Sequence, residues 1–430
     1  MKLILGLGKT GFSIARFLSE QNINYKIADS RMNPPFLYKY TSLFFKSKPI
    51  LGMWTLSLLT EVDEIFISPG IAQSEMIVRL AMKKNIPIIS DIELFSRFAK
   101  APVIGITGSN GKSTVTKLLT QMIADSGMLV AIGGNIGIPV LDCLNEKIEY
   151  YVLELSSYQL DYSYHLNLIT GVVLNITPDH LDRYKSFKYY INSKLSLYQY
   201  CQYSVVNLDE PLIPKQTNVK YFGINIPKKA NDFGTVTCHN IGYLLKGDNT
   251  LMSIDEVQLI GEHNIKNILA ALALGDQIKL PISSMIQSIK NFKALEHRLE
   301  WVAKKQNIDY YNDSKATNAT STIIAIQALM YKYQNIVLIL GGIAKKEDYT
   351  LLFKFINKGI TGVVLIGQST YQFSQEINTN NFIYANSMQE AVNIARSMIN
   401  KGVILLSPGC ASFDMFDNFE HRGRVFKDCV

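Results

Sequence analysis

Between the apolar run Val103-Ile104-Gly105-Ile106-Thr107 and a helix-like stretch lies Gly108-Ser109-Asn110-Gly111-Lys112-Ser113-Thr114, the segment richest in chemical capacity. Glycines let backbone N–H groups close on phosphate oxygens, a helix N-terminus adds its positive dipole, Lys112 supplies a mobile cation, and the Ser113 or Thr114 hydroxyl reaches Mg²⁺. It departs from the strict G-x-x-x-x-G-K-[ST] pattern, because Ile106 stands five before Gly111 and the nearby glycines are Gly105 and Gly108. The alternative is a plain strand-turn-helix without a ligand, which the strand before and the helix after argue against.

Other segments offer polar groups at the ends of apolar runs. Gly6-x-Gly8-x-x-Gly11, followed by Asp29, has the form of a dinucleotide fingerprint whose acid holds a ribose hydroxyl. A nicotinamide cofactor, another nucleotide or tight helix packing would each explain it. Glu154 ends an apolar strand, where α/β sites are built and a carboxylate is placed for a metal. Asn175-Ile176-Thr177-Pro178-Asp179-His180-Leu181-Asp182-Arg183 repeats the arrangement, with His180 a metal or phosphate contact. His297-Arg298-Leu299-Glu300, Asn312 to Asn318 and Ser407 to Asp414 lie at strand or domain ends, and singly each reads as a polar turn. His165 and His239 have no such setting and read as structural or solvated.

The elements that must position these groups follow an alternation of strands and helices. Strands are expected at 2–5, up to Asp29, at 64–68, 103–107, 150–155 and 171–176, and then near 309–311, 336–340, 362–366 and 403–406. This rhythm gives three α/β units with largely parallel sheets, as 430 residues at about 150 per domain suggest. An apolar share of 47% with 18% charged residues excludes disordered and collagen-like chains. Mean hydropathy is +0.09, yet no apolar run approaches 18 residues, so no membrane span is expected, and the short apolar start reads as no signal peptide. Five cysteines form no CxxC pair, which fits a reducing compartment. The net charge of +7 is scattered, suiting anionic small substrates better than nucleic acid.

In their order along the chain these segments resemble the Mur ligase family, the ATP-dependent amino-acid ligases of bacterial peptidoglycan precursor synthesis, and within it the D-glutamate-adding member. The resemblance runs from Gly6-Leu7-Gly8 to Phe419-Glu420-His421-Arg422-Gly423 and includes Asp91-Ile92-Glu93-Leu94-Phe95 and Gly134-Asn135-Ile136-Gly137. It implies a three-domain α/β architecture: a Rossmann-like UDP-binding domain over 1–90, a central P-loop ATPase-like domain over 91–296, and a Rossmann-like D-glutamate-binding domain over 297–430 that closes on ATP.

The resemblance further implies Lys9, Thr10, Asp29, Ser30 and Gly70 near uracil or diphosphate, which moves the glycine fingerprint from NAD to UDP. ATP would be bound by Gly108, Asn110, Gly111, Lys112, Ser113, Thr114, Asn264, Asn267, Arg298 and Asp313, with Asn135 on the muramoyl substrate. D-glutamate would meet Lys315, Thr317, Lys345, Ser412, Phe413 and Phe419. Lys345 and Lys346 share a loose version of the family's glycine-lysine segment, and Phe413 stands where leucine is common. Two Mg²⁺ would be held by Ser113, Glu154, His180 and Lys194, a carbamylated lysine in this family; its spacing alone reads as a solvated helix lysine. Lys112, Glu154, His180 and Lys194 would be catalytic. The implied protein is a cytoplasmic monomer that takes UDP-N-acetylmuramoyl-L-alanine and D-glutamate and binds neither nucleic acid nor membrane. Another Mur or folylpolyglutamate ligase, a nicotinamide-dependent oxidoreductase, and a nucleotide-gated binding protein are the competing readings.

Overall fold

The computed structural model describes residues 1–44, 47–179, 183–214, 218–377 and 382–430. They form two compact units, Met1–Ile254 with Lys266–Ile289 and Asp255–Ile265 with Lys290–Val430.

The first unit contains two sheets. One is parallel and five-stranded, in the order Ile50–Leu51, Tyr25–Asp29, Lys2–Leu5, Glu64–Ile67, Ile88–Ile89. Strand order reverses direction at Lys2–Leu5, so a crevice opens beyond its carboxyl end, where Gly6 to Gly11 lies. The helix starts at Lys9 and takes in Gly11, earlier than the apolar pattern suggests. A Cβ at Gly11 would run into the Gly6 carbonyl oxygen, so the glycine permits this close helix-turn approach.

The other sheet has nine strands, ordered Asn249–Ser253, Ile241–Lys246, Phe233–Cys238, Val219–Phe222, Cys201–Asn207, Leu168–Val173, Val103–Thr107, Tyr150–Glu154, Val130–Gly134. Its first three strands are an antiparallel meander that the sequence pattern did not announce. The turn joining two of them is His239-Asn240, with φ of 50° and 66°, a two-residue hairpin without the usual glycine. The strand expected at 171–176 runs instead over Leu168–Val173. Beyond it the chain leaves the ladder because Asn175 turns to bond the phosphate loop.

The two sheets share their cores. Tyr162, from the nine-stranded side, is buried among Leu3, Leu5, Ile65 and Ile77, and its carbonyl accepts from Ser90 N at 2.8 Å. Phe12 and Phe17 belong to one apolar cluster with Val140, Leu141 and Tyr151. Burial of these side chains by both sheets accounts for their single compact unit.

In the second unit six strands run in the order Glu300–Lys305, Ile308–Asn312, Gly402–Leu406, Ile336–Gly341, Gly362–Ile366, Phe382–Ala385, all parallel except the first pair. Ile336, Leu338 and Leu340 face one core while Val337 and Ile339 face the other. Covering on both faces is what makes this strand a continuous apolar run. Among the described residues, no helix is long and apolar enough to cross a membrane.

Candidate active site

The strand Val103–Thr107 delivers the chain into the glycine loop, and the helix Lys112–Asp125 leaves it. Gly111 has φ +83°, and a Cβ there would collide with Asn267 Oδ1, so glycine is required by both backbone and neighbour. Asn175 O accepts from Ser109 N at 3.0 Å, its Oδ1 accepts from Asn110 N at 2.8 Å, and its Nδ2 donates to Asn110 O at 3.0 Å. Ser109 Oγ donates to Thr177 O at 3.0 Å and accepts from Thr177 N at 3.0 Å. The end of the neighbouring strand thus staples the loop before any ligand arrives. The sequence had marked Asn175 only as part of a polar run; its place at a strand end was the available signal.

Two lysines converge on this loop. Lys112 Nζ donates to Gly108 O at 2.7 Å and Ser109 O at 3.0 Å, and Lys194 Nζ donates to the same Gly108 O at 2.9 Å. Lys194 is 2% exposed, on the helix Phe187–Leu195, with Nζ 4.7 Å from the centre of the Tyr190 ring one turn earlier. Burial, reinforced by the charge of Lys112, holds its amine well below the ordinary lysine range against the opposing pull of Asp179, Glu154 and Asp161. Such a shift favours the neutral, nucleophilic amine.

Glu154 terminates Tyr150–Glu154 and is 3% exposed. Its Oε1 accepts from Asn135 Nδ2 at 2.8 Å, and its carbonyl accepts from Asn135 N at 2.8 Å. Oε2 is buried without a hydrogen-bond partner. An unmatched acceptor costs free energy unless a cation meets it, so this side chain fits Mg²⁺. Ser113 and Thr114 are buried in the first turn of the adjoining helix. No three His, Cys, Asp or Glu side chains form a metal cage among the described residues. Among the described residues, the Ser113 and Thr114 hydroxyls are the oxygen donors that stand with Glu154 at this loop. His180 lies outside the described residues.

Lys9 and Thr10 line a pocket of about 190 Å³ with Pro69, Gly134, Asn135, Ile136, Gly137, Pro139 and Gln159. Lys9 Nζ donates to Gly137 O at 2.7 Å. Gly70 and Ser30 are exposed. Asp29 is buried and committed: it accepts from Leu7 N at 2.7 Å, from Arg31 N and Nε at 2.9 Å, and from Arg31 Nη2 at 2.7 Å. Burial alone would raise its pKa, but the Arg31 and backbone hydrogen bonds outweigh it and hold the carboxyl below its usual range. Asp29 therefore shapes the glycine turn through Leu7 and orients Arg31, a residue the sequence reading missed. Asn264 and Asn267 are both buried, one turn apart on Glu262–Gln277, and Asn264 Nδ2 donates to Ile260 O at 2.8 Å.

The second unit gathers the remaining positions. Asp313 accepts from Ser407 Oγ at 2.8 Å and Leu299 N at 3.1 Å, and burial pushes its carboxyl up to about 7. Arg298, half-buried, is among the charges that restrain this rise. His297 lies in a turn, as its sequence setting suggests, with φ +64°, and its ring is buried against Gly423 with Nδ1 2.9 Å from Asn312 Nδ2. Lys315 Nζ lies 3.7 Å over the Phe419 ring. Thr317 is half-buried beside Asn318, whose Oδ1 caps the helix Ala319–Met330 through Ser321 N at 2.8 Å.

Ile343 and Ala411 pair backbone to backbone at 2.9 and 3.0 Å, which draws the Lys345 segment alongside Ser412. Ser412 is buried and Phe413 is 71% exposed. Lys345 is half-buried with its N–H donating to Tyr349 Oη at 3.1 Å, whereas Lys346 is exposed. Arg422, 1% exposed and given no role by the sequence reading, donates to Ser314 Oγ at 2.9 Å, Ser314 O at 2.8 Å and Cys410 O at 3.0 Å. It ties the Lys315 loop to the Ser412 loop. Its signal was an arginine four residues before Phe426, on the face that this C-terminal helix buries.

Comparison with known proteins bears on this arrangement. Residues 1–90 match the MurD-like N-terminal domain of Mur ligases, 106–275 the Mur ligase middle domain, and 297–410 the Mur ligase glutamate ligase domain. The UDP-N-acetylmuramoylalanine--D-glutamate ligase of Nitrosococcus oceani is 39% identical over 435 residues, covering 100% of this chain and 96% of the relative. Its Acinetobacter baylyi counterpart is 39% identical over 446 residues, covering 100% of this chain and 98% of the relative. Among solved structures, a pseudomurein peptide ligase type C from Methanothermus fervidus aligns with TM-score 0.60 at 20% identity over 100% of both chains. The UDP-N-acetylmuramate-alanine ligase of Thermotoga maritima aligns with TM-score 0.61 at 14% identity over 99% of this chain and 98% of that one. These two likenesses concern the fold.

Proposed function

The chain belongs to the Mur ligase family, and on that premise we propose that it joins D-glutamate to UDP-N-acetylmuramoyl-L-alanine, converting ATP to ADP and phosphate through an acyl phosphate, in cytoplasmic peptidoglycan precursor synthesis. The observation that best supports the reading is the convergence of Lys112 and Lys194 on Gly108 O in a loop whose neighbouring strand ends in Glu154 with an unpaired oxygen.

The domain boundaries in this reading fall at 90/91 and 296/297. Lys9, Thr10, Ser30 and Gly70 hold the UDP end, with Asp29 supporting the glycine turn, and Asn135 meets the muramoyl group. Gly108, Asn110, Gly111, Lys112, Ser113 and Thr114 cradle the ATP phosphates, and Asn264, Asn267, Arg298 and Asp313 are further ATP-binding residues in this reading. Lys315, Thr317, Lys345, Ser412, Phe413 and Phe419 hold D-glutamate, Lys345 rather than its exposed neighbour Lys346.

A carboxylate is a poor electrophile, so the L-alanyl carboxylate oxygen attacks the γ-phosphorus, the bond to the ADP oxygen breaks, and an acyl phosphate forms. The D-glutamate amine then attacks the acyl carbon, the tetrahedral intermediate expels phosphate, and the amine loses a proton. Lys112 balances charge on the transferred group. Bound Mg²⁺ supplies further charge neutralisation, with Ser113, Glu154 and His180 as its protein ligands and two ions as the expected complement.

Lys194 acts as a carbamate in this scheme. The neutral amine adds to the carbon of CO₂, one C=O π bond opens onto oxygen, and the nitrogen loses a proton to solvent. An anion then stands where an ordinary ammonium would repel a second metal ion. The depressed amine pKa supports this step, since an ordinary lysine at pH 7 keeps only about 0.03% of its amine unprotonated.

An ADP-release assay over a panel of UDP-muramoyl substrates and D- and L-amino acids tests the assignment. Turnover should require UDP-N-acetylmuramoyl-L-alanine, D-glutamate and Mg²⁺ together. Equal turnover with L-glutamate, or tight NADH binding without ATP hydrolysis, would overturn it.

A further inference from the structure

Arg183 lies half-buried between the loop that follows the strand Glu64–Ile67 and the helix Ser157–Leu160 that follows the strand Tyr150–Glu154. Its guanidinium carbon sits 4.3 Å from the centre of the Tyr158 ring, while Nη1 donates to Gly70 O at 3.1 Å and Nη2 to Pro69 O at 3.3 Å. Tyr158 lies flat on Tyr184, with ring centres 5.8 Å apart and planes at 9°. Tyr184 donates to Asp161 Oδ2 at 2.8 Å and meets Tyr190 edge-on at 5.4 Å. The Tyr190 hydroxyl is 3.0 Å from Ser109 Oγ in the phosphate loop. One aromatic platform therefore runs from the Pro69-Gly70 loop to the phosphate loop.

We propose that Arg183 is a positioning residue for the ligation: stacked on Tyr158, it fixes the Pro69-Gly70 loop, and with it one wall of the Lys9-Thr10-Asn135 pocket, at a set distance from the phosphate loop. A planar guanidinium presents its face to a ring and its in-plane N–H groups to two carbonyls at once, which an ammonium does not. Both acceptors are backbone carbonyls, so the contact depends on no substrate group. Gly70 is exposed, so water replaces the donor when it is removed, and the fold survives. What the pocket holds rests on the proposed function; the clamp itself does not.

The test compares Arg183→Ala, Arg183→Lys and Tyr158→Leu with the wild-type chain. Hydrogen exchange in the free protein should quicken at the Ile71 amide, which donates to Ser68 O at 3.0 Å, in all three, with the thermal midpoint unchanged. In turnover, kcat/KM for the uridine substrate should fall about 10- to 100-fold while the KM for ATP holds, since misplacement of bound reactants by about 1 Å costs up to that much. Unchanged exchange in Arg183→Ala, or wild-type behaviour of Arg183→Lys, would overturn the clamp. So would a kinetic defect in Arg183→Ala that Tyr158→Leu does not share, which would mean direct contact of Arg183 with substrate. Faster exchange in all three variants, alongside a wild-type chain that releases no ADP from this substrate pair, would uphold the clamp and sink only the substrate assignment.

Discussion

Replacing Glu154 by Gln should move stability and activity in opposite directions. The amide is isosteric, so its oxygen can keep the Asn135 Nδ2 hydrogen bond at 2.8 Å, and its NH₂ takes the place of the buried, partnerless Oε2. An unmet buried polar group costs about 1–3 kcal/mol, more when it carries charge. Exchanging a charged orphan for a neutral one should therefore stabilise the free protein by about 1 kcal/mol, a rise of about 2 °C in the midpoint of a unit this large. The same change removes the anion offered to Mg²⁺, and losing one electrostatic partner of the transferring group costs about 10²- to 10³-fold in rate. Thermal unfolding with and without Mg²⁺ and a non-hydrolysable ATP analogue reads both effects. The wild-type chain should gain about 2.7 kcal/mol at a hundredfold excess over Kd, and the variant should lose the Mg²⁺-dependent part of that gain. A midpoint several degrees lower in Glu154→Gln, with the Mg²⁺ response and turnover intact, would show that the unpaired oxygen is not a cation seat.

Lys112→Ala should abolish ADP release, about a hundredfold or more, yet leave calorimetric binding of the uridine substrate nearly intact; normal turnover would remove Lys112 from phosphate chemistry. In a variant shown to be folded, Lys194→Ala should lose most activity and regain part of it with added formate or acetate, small anions that fill the vacated place; wild-type rates without them would exclude a carbamate role. Asp313, raised by burial to about 7, should make stability pH-dependent in a defined sense. Its folded pKa lies above the ordinary carboxyl value, so its contribution is full below about 4 and lost as pH climbs through about 7. Asp313→Asn should therefore flatten the fall of the midpoint between pH 5 and pH 8; an unchanged slope would mean that the group is ionised throughout.

Much of the arrangement was legible along the chain because its signals are local. The glycine loop, the run that ends in Glu154 and the buried strand Ile336–Gly341 each announce themselves within a dozen residues, since strand burial and phosphate-loop geometry impose their residue types at short spacing. Phe233–Cys238 and Ile241–Lys246 escaped notice because exposed positions and a His-Asn turn leave little apolar periodicity.

What the amino-acid order determined by itself was which groups stand at strand ends: Lys112 after one strand, Glu154 at the end of another, Asp313 after a third. Only the tertiary structure decided what those groups do to one another. Asp29 is spent on Leu7 and Arg31, Lys194 is driven towards the neutral amine by burial beside Lys112, Arg183 reaches across to Pro69 and Gly70, and Arg422 joins two loops of its unit. Apart from Arg31, two residues from Asp29, these partners lie from a dozen to more than a hundred residues away, and no spacing rule within a single segment carries that information.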